Sequence, residues 1–279
     1  MILVIGATGH FGRETVQALV DAGQRVRALS RTPESAGLPA EVEVVGGDLT
    51  RPSTLAPALA DVTRMFVILP YGMDAAPLLQ AATEAGVRRI AFLSSGAVVD
   101  GPAAQPDVIA AYHQGVEEAV RATGAEWTFL RLFFPAINSL SMAMQLKDGD
   151  IVRAPYGGAT SAPVHELDVA DVAAAVLTTD GHAGRVYELT GPESLTQAEQ
   201  VRILGEALGR ELRFEELDAG PVRQQMSRFM DGDFVNALFD LMEATAGKPA
   251  HIDGSVERIT GRTPRTYAQW AADHVADFS

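Results

Sequence analysis

Apolar residues fall into two kinds of segment over the first 135 positions of the chain. Short runs rich in β-branched residues predict buried strands, and longer segments with apolar positions three and four apart predict helices. The predicted strands lie at residues 2–5, 25–30, 42–45, 65–69, 90–93 and 127–132. The predicted helices lie at residues 10–22, 75–85 and 107–123. Because strands and helices alternate with short links, we predict an α/β fold with a doubly wound parallel sheet.

The alternation is less regular after residue 135. We predict a helix over residues 168–178 with Asp168 as its N-cap, because an aspartate commonly caps the first turn of a helix. We predict extended segments at residues 151–165, 186–189 and 212–214, and a further helix at residues 196–208. A set of apolar residues at helical spacing predicts either core between two lobes or a substrate lid: Phe229, Met230, Phe234, Leu238 and Met242.

Three evenly spaced glycines follow the first predicted strand. Gly6, Gly9 and Gly12 lie in the sequence G-A-T-G-H-F-G, and a helical pattern begins near His10. The N–H groups and the dipole of a helix N-terminus attract negative charge, and glycine lets a pyrophosphate approach the backbone. This arrangement is typical of a dinucleotide-binding loop, and the alternative is an ordinary glycine-rich turn.

We therefore predict two parts of the chain with different tasks. Residues 1–135 form a Rossmann-type dinucleotide-binding domain, and residues 136–279 form a smaller C-terminal α/β substrate lobe. We expect this lobe to be mostly helical and interleaved with the sheet.

The end of the second predicted strand carries a basic residue. Arg31 lies about 20 residues after the glycines, and no acidic residue accompanies it. In dinucleotide folds an arginine here suits the 2′-phosphate of NADP, whereas an acid suits the free ribose of NAD. We predict NADP(H); the alternative is that Arg31 is a solvated loop charge. Asp48, after the third strand, is a candidate for adenine contact, or else a turn aspartate or an N-cap.

Composition narrows the classes of partner. The net charge of −14 disfavours binding to nucleic acid or to anionic membranes. The chain has no cysteine, which excludes disulfides and thiolate chemistry and fits a reducing cytoplasm. We see neither a signal peptide nor an apolar run of the roughly 20 residues that a membrane span needs. The six histidines lack ligand spacing, so we predict no metal site. Monomer and homodimer both stay open.

Several motifs together resemble the NmrA-like family. They are G-A-T-G-H-F-G, A-L-S-R, G-G-D-L, S-S-G-A, F-L-R-L-F-F-P-A-I-N, L-T-G-P and the C-terminal T-G-R-T-P-R-T-Y-A-Q-W. This family is an atypical branch of the extended short-chain dehydrogenase/reductases and includes NADPH-dependent quinone oxidoreductases. The resemblance covers essentially the whole chain. With the glycines, it implies an NADP(H) site formed by Gly6, Thr8, Gly9, His10, Phe11, Gly12, Arg31, Asp48, Leu49, Leu69, Pro70, Ser94, Phe133 and Phe134.

The proton donor of the wider superfamily is missing. None of the five tyrosines has a lysine four residues on, so the usual Tyr-x-x-x-Lys pair is absent, although Ser94 and Ser95 persist. His113 and Glu117 stand at the corresponding helix. We predict His113 and Ser95 as catalytic residues, since histidine titrates near neutrality and can relay a proton. The alternative is a surface His113–Glu117 pair.

This absence points to a class of substrate. Hydride addition to an ordinary ketone produces an alkoxide that needs a nearby acid. Addition to a quinone or polycyclic aromatic ketone produces a delocalised phenolate with a pKa near 10, as for tyrosine. We therefore expect a small aromatic substrate. Its candidate contacts are Tyr71, Phe134, Asn138 and Met142.

The predicted function is an NADPH-dependent oxidoreductase that reduces a quinone-like or polycyclic aromatic carbonyl compound. The main alternative is a non-catalytic NADP(H) redox sensor that acts through a protein partner. A third hypothesis is an isomerase or dehydratase that keeps its cofactor tightly bound.

Overall fold

The computed structural model describes residues 1–101 and 104–278, and within them eleven strands and eleven α-helices. The strands are β1 (Ile2–Val4), β2 (Val26–Ser30), β3 (Glu43–Gly46), β4 (Arg64–Val67), β5 (Arg89–Ser95), β6 (Glu126–Leu132), β7 (Ile151–Ala154), β8 (Thr160–Ser161), β9 (Arg185–Leu189), β10 (Leu195–Thr196) and β11 (Arg213–Glu216). The helices are α1 (His10–Asp21), α2 (Ala56–Leu59), α3 (Ala76–Glu84), α4 (Val108–Ala122), α5 (Ala143–Leu146), α6 (Glu166–Thr178), α7 (Gln197–Leu208), α8 (Ala219–Met226), α9 (Gly232–Thr245), α10 (Ser255–Thr260) and α11 (Tyr267–Asp273). Short 3₁₀ segments link some of them, and the longest spans Ala136–Met142.

Seven strands form the main sheet in the order β3-β2-β1-β4-β5-β6-β9. Every neighbouring pair in this sheet is parallel. Strands β2 and β3 are added on one side of β1, and β4, β5 and β6 are added on the other side. Sheets of this kind bind ligands at such a switch point, beyond the carboxyl ends of the strands. The predicted Rossmann-type α/β fold is confirmed.

Helices cover both faces of this sheet. Val16 and Leu19 of α1 pack with Val172 and Val176 of α6 on one face. Leu78 of α3 and the apolar side of α4 cover the other. Burial of one such aliphatic side chain contributes about 1.5–3 kcal/mol, so these two layers provide much of the driving force for folding.

A third apolar core lies in the second half of the chain. Trp270 and Tyr267 are fully buried there, with their rings stacked 5.4 Å apart. The Tyr267 hydroxyl donates a hydrogen bond of 2.8 Å to the Ser139 hydroxyl, which satisfies its buried polar group. Burial raises the pKa of Tyr267 to about 12. In the second half of the chain, β9 pairs with β6 in the main sheet and α6 packs against β4 and β5. These two elements join this half of the chain to the sheet.

The start of α6 differs from the predicted one. The helix begins at Glu166, and its N-cap is His165, whose Nδ1 accepts a hydrogen bond from the N–H of Leu167. Asp168 is buried and accepts a hydrogen bond of 2.7 Å from the backbone N–H of Arg265, whose guanidinium also contacts it. The prediction of Asp168 as N-cap is wrong, because His165 occupies the N-cap position and the Asp168 carboxylate binds Arg265.

The apolar stripe near the C-terminus, predicted as core between the lobes or as a substrate lid, is only half-buried where it lies on α9. Phe229 is 84% exposed and Met230 is 42% exposed. The buried face of α9 carries Val235 and Phe239 instead. The stripe is interrupted because α8 ends at Met226, so its residues do not lie on one continuous helix.

Candidate active site

The loop between β1 and α1 has a backbone that requires glycine. Gly6 has a φ of +77°, in the region that favours glycine. A Cβ on Gly12 would lie 2.0 Å from the Gly6 carbonyl oxygen, so no larger residue fits there. Within the described residues no side chain caps α1, which leaves the first-turn N–H groups to an anion. The loop therefore fits a pyrophosphate.

The residues of this loop that the sequence assigned to the cofactor are accessible. Thr8, Gly9 and His10 are exposed, and Phe11 is partly buried against the sheet core. A cavity of about 180 Å³ opens beside them. Its wall also includes Glu166, and the Oε2 atom of that residue is buried with no hydrogen-bond partner among the described residues.

Arg31 follows β2 directly and is exposed. Its side chain forms no ion pair or hydrogen bond within residues 1–101 and 104–278. The loop after it is held by Arg13 of α1, whose guanidinium donates to the carbonyl oxygens of Gly37 and Ala36, the latter at 3.1 Å. The guanidinium of Arg31 at the strand end thus has no bonded partner in the described chain, although its charge contributes to the lowered pKa of Asp48. Its loop is anchored to the helix of the glycine loop.

Asp48 forms a local turn after β3. Its Oδ1 accepts hydrogen bonds from the N–H and the hydroxyl of Thr50 at 2.9 and 2.8 Å, and these bonds lower the pKa of Asp48. The following 3₁₀ segment has Arg51 at its N-cap, so the N-cap alternative for Asp48 is wrong. Leu49 is partly buried against the apolar core next to it.

The segment after β4 brings aromatic rings to the sheet edge. Leu69 packs against the core and Pro70 is exposed. The Tyr71 ring lies 5.0 Å from that of Tyr112 on α4 and 4.8 Å from that of Phe234 on α9. The Tyr112 hydroxyl lies 2.9 Å from the Pro70 carbonyl oxygen, so α4 holds this segment in place.

A buried ionic network lies below the carboxyl end of β5. Glu117 is fully buried and accepts hydrogen bonds from the Ser94 hydroxyl at 2.7 Å and from Arg131 at 2.9 and 3.0 Å. Arg131 also pairs with Asp100. Burial would lower the pKa of Arg131, but its bonds to Glu117 and Asp100 outweigh this effect and raise it. The hydroxyl of Ser94 is thus committed to the network, and the alternative of a surface His113–Glu117 pair is wrong.

His113 lies on the same helix but outside this network. Its Nδ1 lies 2.8 Å from the carbonyl oxygen of Ile109. A carbonyl oxygen only accepts, so Nδ1 carries the proton and Nε2 is bare in the neutral ring. Burial lowers the pKa of His113, which favours that neutral form. Ser95 accepts a hydrogen bond from the N–H of Ala97 at 3.1 Å and stands at the end of β5.

An apolar cavity of about 300 Å³ begins where β6 ends. Phe133 and Phe134 line it from the sheet, and Met242 lines it from α9. The remaining wall is formed by Ala159, Thr160, Ser161, Ala162, Gln197, Leu241, Ala244, Thr245, Lys248, Pro249, Ala250 and His251. The volume suits a small organic molecule, and Phe133 joins the cavity to the cofactor edge of the sheet. A Cβ on Gly96 would lie 2.5 Å from the Phe133 ring, so Gly96 lets this ring sit against the end of β5.

Three of the four predicted substrate residues lie elsewhere. Among the described residues that form this wall, Phe134 is present and Tyr71, Asn138 and Met142 are not. Met142 packs against the third core, and Asn138 is exposed. Tyr71 is 43% exposed and packs against the ring of Tyr112.

A model of the NAD(P)H-binding family matches residues 6–180, which is more than half of the chain. The chain belongs to this NAD(P)H-binding family. The matched region contains the glycine loop, Arg31 and the ends of β4, β5 and β6.

Two enzymes are similar along the whole chain. The (4-alkanoyl-5-oxo-2,5-dihydrofuran-3-yl)methyl phosphate reductase of Streptomyces griseus is 39% identical over 283 residues, which cover 100% of this chain and 99% of that one. The NAD(P)H azoreductase of Xenophilus azovorans is 32% identical over 289 residues, with the same two coverages. This member of the NAD(P)H-binding family is therefore an NAD(P)H-dependent reductase.

A solved structure shares the fold. The NADPH-dependent quinone oxidoreductase of Escherichia coli superposes with a TM-score of 0.79 at 24% identity, covering 98% of this chain and 99% of that chain. The resemblance to the NmrA-like family and the nicotinamide cofactor, predicted from the motifs, are confirmed. No helix in the described part of the chain is long and apolar enough to cross a membrane.

Sequence reasoning did not find most of the cavity wall. Lys248 and His251 lie in a segment without periodicity, and Gln197 looks like an ordinary first-turn residue of α7. Arg131 could have been found, because a charged residue within the apolar strand T-F-L-R-L-F-F requires a buried partner.

Proposed function

We propose that this reductase uses NADPH to reduce flat, conjugated acceptors such as quinones and polycyclic aromatic carbonyl compounds. The observation that carries the proposal is the apolar cavity at the end of β6, walled by Phe133, Phe134 and Met242. It lies on the same edge of the sheet as the glycine loop, at the side where such folds bind their ligands. Aromatic and methionine side chains favour flat apolar molecules.

The relatives support this substrate class. The names of the three relatives specify an azo compound, a quinone and the phosphate ester of an acylated unsaturated lactone, and each of these contains a conjugated electron acceptor. When bound, the nicotinamide cofactor supplies the hydride. The chain supplies the pyrophosphate loop, Arg31 for the 2′-phosphate, and a water-poor wall that orients the acceptor.

In this proposal His113 positions the cofactor and does not act as a general acid. Its bare Nε2 can accept a hydrogen bond from a ribose hydroxyl, but the neutral ring has no proton to give from that atom. We assign His113 and Ser95 to positioning the cofactor at the end of β5. A loss of cofactor affinity in His113→Ala with little change in kcat would support this assignment.

The proposed function is tested with a panel of acceptors under anaerobic conditions, with NADPH consumption followed by absorbance. We expect turnover with a quinone, a polycyclic aromatic ketone, an azo dye and a 4-acyl unsaturated lactone phosphate. A saturated aliphatic ketone should turn over far more slowly, because it lacks the flat conjugated surface that the aromatic wall favours. Binding of NADPH without its oxidation by any conjugated acceptor would contradict the proposal.

Two matched tryptophan variants test whether the cavity is the acceptor site. Ala244 of α9 lines the cavity, and its neighbour Glu243 is exposed and does not. Ala244→Trp places an indole in the acceptor space and should lower kcat/KM by roughly tenfold or more, with NADPH affinity unchanged. Glu243→Trp adds the same ring outside the cavity and should behave like the wild type.

A further inference from the structure

His251 is a titratable side chain in the cavity wall with one uncommitted ring nitrogen. Its Nε2 lies 2.6 Å from Oε2 of Glu188 on β9. A carboxylate only accepts, so Nε2 carries a proton in this pair. Nδ1 makes no hydrogen bond to any described residue. The imidazole lies 5.1 Å from the ring of Phe133, measured between centroids, and both rings line the cavity.

The segment that carries His251 is fixed over the carboxyl ends of β6 and β9. The N–H of Ala250 donates to the Ser194 hydroxyl at 2.8 Å, and the N–H of Asp253 donates to the Thr190 hydroxyl at 2.9 Å. The N–H of Phe133 in turn donates to the carbonyl oxygen of Leu189 at 3.2 Å. These bonds hold His251 at the sheet edge where the cofactor and the acceptor are proposed to meet.

The other acids near the site are less suited to protonating an acceptor. Tyr112 directs its hydroxyl to backbone carbonyl oxygens, and burial raises its pKa. The Lys248 ammonium donates to the Ala244 carbonyl oxygen at 2.8 Å at the end of α9. Histidine, by contrast, is the side chain that most often serves as a general acid in enzymes.

We propose that His251 is the general acid of the reduction and that Glu188 orients its ring. This assignment rests on the proposed reductase function and names its proton source. Two electrons and one proton reach the acceptor as hydride from bound NADPH, which is oxidised to NADP⁺, and the acceptor oxygen gains negative charge. The Nδ1–H bond of the His251 imidazolium then breaks, and its proton bonds to that oxygen. The neutral imidazole regains a proton from solvent through its exposed edge.

Three charged groups among the described residues face His251. They are Glu188 on β9, Asp253 two residues along the chain, and Lys248 on the same cavity wall. Only the imidazolium donates a proton, so turnover should be highest at low pH and fall as the ring loses its proton at rising pH. A variant without the imidazole should lose this descending limb.

The test compares His251→Ala with a matched histidine variant, using a polycyclic aromatic ketone as the acceptor. We expect kcat to fall by about 100-fold in His251→Ala, with unchanged NADPH affinity and a flattened pH profile. Added imidazole should restore part of the rate. His182→Ala removes a histidine paired with Tyr187 at the opposite end of β9 and should leave kcat and its pH profile unchanged.

Glu188→Gln gives an independent readout. The amide keeps the shape of the carboxylate but not its charge, so we expect a smaller loss of kcat than in His251→Ala and no rescue by imidazole. A His251→Ala variant with the wild-type rate and pH profile, while the wild type turns over the ketone, would overturn the assignment of His251 alone. A wild type that oxidises no NADPH with any acceptor would overturn the proposed function and this assignment together.

Discussion

Arg31 is the residue on which the cofactor preference depends. Its exposed guanidinium follows β2 directly, and Arg13 anchors the loop behind it through Gly37 and Ala36. An arginine that is free of ion pairs within the described chain can meet a phosphate without first losing a partner. Binding of both cofactors distinguishes this role from that of a loop charge without a ligand.

We expect Arg31→Ala to weaken NADPH binding by about tenfold or more, because a charge-assisted hydrogen bond to a phosphate contributes about 1.5–3 kcal/mol. The affinity for NADH should change little, since NADH lacks the 2′-phosphate. Fluorescence titration with both cofactors measures the difference. Arg25→Ala, at the other end of β2, is the control and should leave both affinities unchanged. Equal losses for NADPH and NADH in Arg31→Ala would contradict the assignment.

At the residue scale, the predictable part of the site is the part formed by local sequence. Gly6 and Gly12 were assigned correctly to a tight turn because a strand, a turn and a helix follow one another along the chain. His113 was placed on the right helix, but its proton position depends on Ile109 one turn earlier and on burial by the sheet. Glu117, one turn further along the helix, accepts hydrogen bonds from Arg131 and Ser94 and not from His113. Spacing along one helix does not reveal these partners.

Helix α4 is the element that the buried network ties to the sheet. Glu117 joins α4 to Ser94 of β5 and Arg131 of β6, and its side chain has no exposed surface. Breaking a buried ion pair by removing one charge leaves the other uncompensated, at a cost of about 3–5 kcal/mol. The network therefore fixes the helix that supports His113 and Tyr112 at the site.

We expect Glu117→Gln to lower the free energy of unfolding by about 3 kcal/mol, because it leaves the Arg131 guanidinium without its buried counter-charge. Urea unfolding at neutral pH measures the change. Glu118→Gln, next along the same helix and exposed, is the matched control and should change stability by less than about 0.5 kcal/mol. Equal effects of the two substitutions would show that the network does not hold the helix.

Most element positions followed from periodicity, and the errors have a common cause. The predicted third strand at 42–45 lies one residue from the observed Glu43–Gly46, because the apolar run itself forms the strand. The start of α6 was misplaced because Asp168 pairs with Arg265, 97 residues away. The apolar stripe is not one continuous helix because α8 ends at Met226 and α9 begins at Gly232, so Phe229 precedes α9.

For the whole molecule, the sheet was predictable and the cavity was not. Alternating strands and helices with short links permit few topologies, and the observed order of seven parallel strands is among them. The cavity instead combines the end of β6, strand β8, helix α9 and the segment around His251. These segments are distant along the chain and share no motif, so only the fold brings them together. The division at residue 135 remains a proposal about which part carries the substrate.

The central claim is that the glycine loop and the apolar cavity are two ends of one reductase site. A crystal structure with NADP⁺ and a bound quinone tests it most directly. We predict the pyrophosphate on the Gly6–Gly12 loop, the 2′-phosphate beside Arg31, and the quinone between Phe134 and Met242. The reacting carbon of the quinone should lie about 3.5 Å from nicotinamide C4. A nicotinamide ring that points away from the cavity, or a quinone bound elsewhere, would contradict the account.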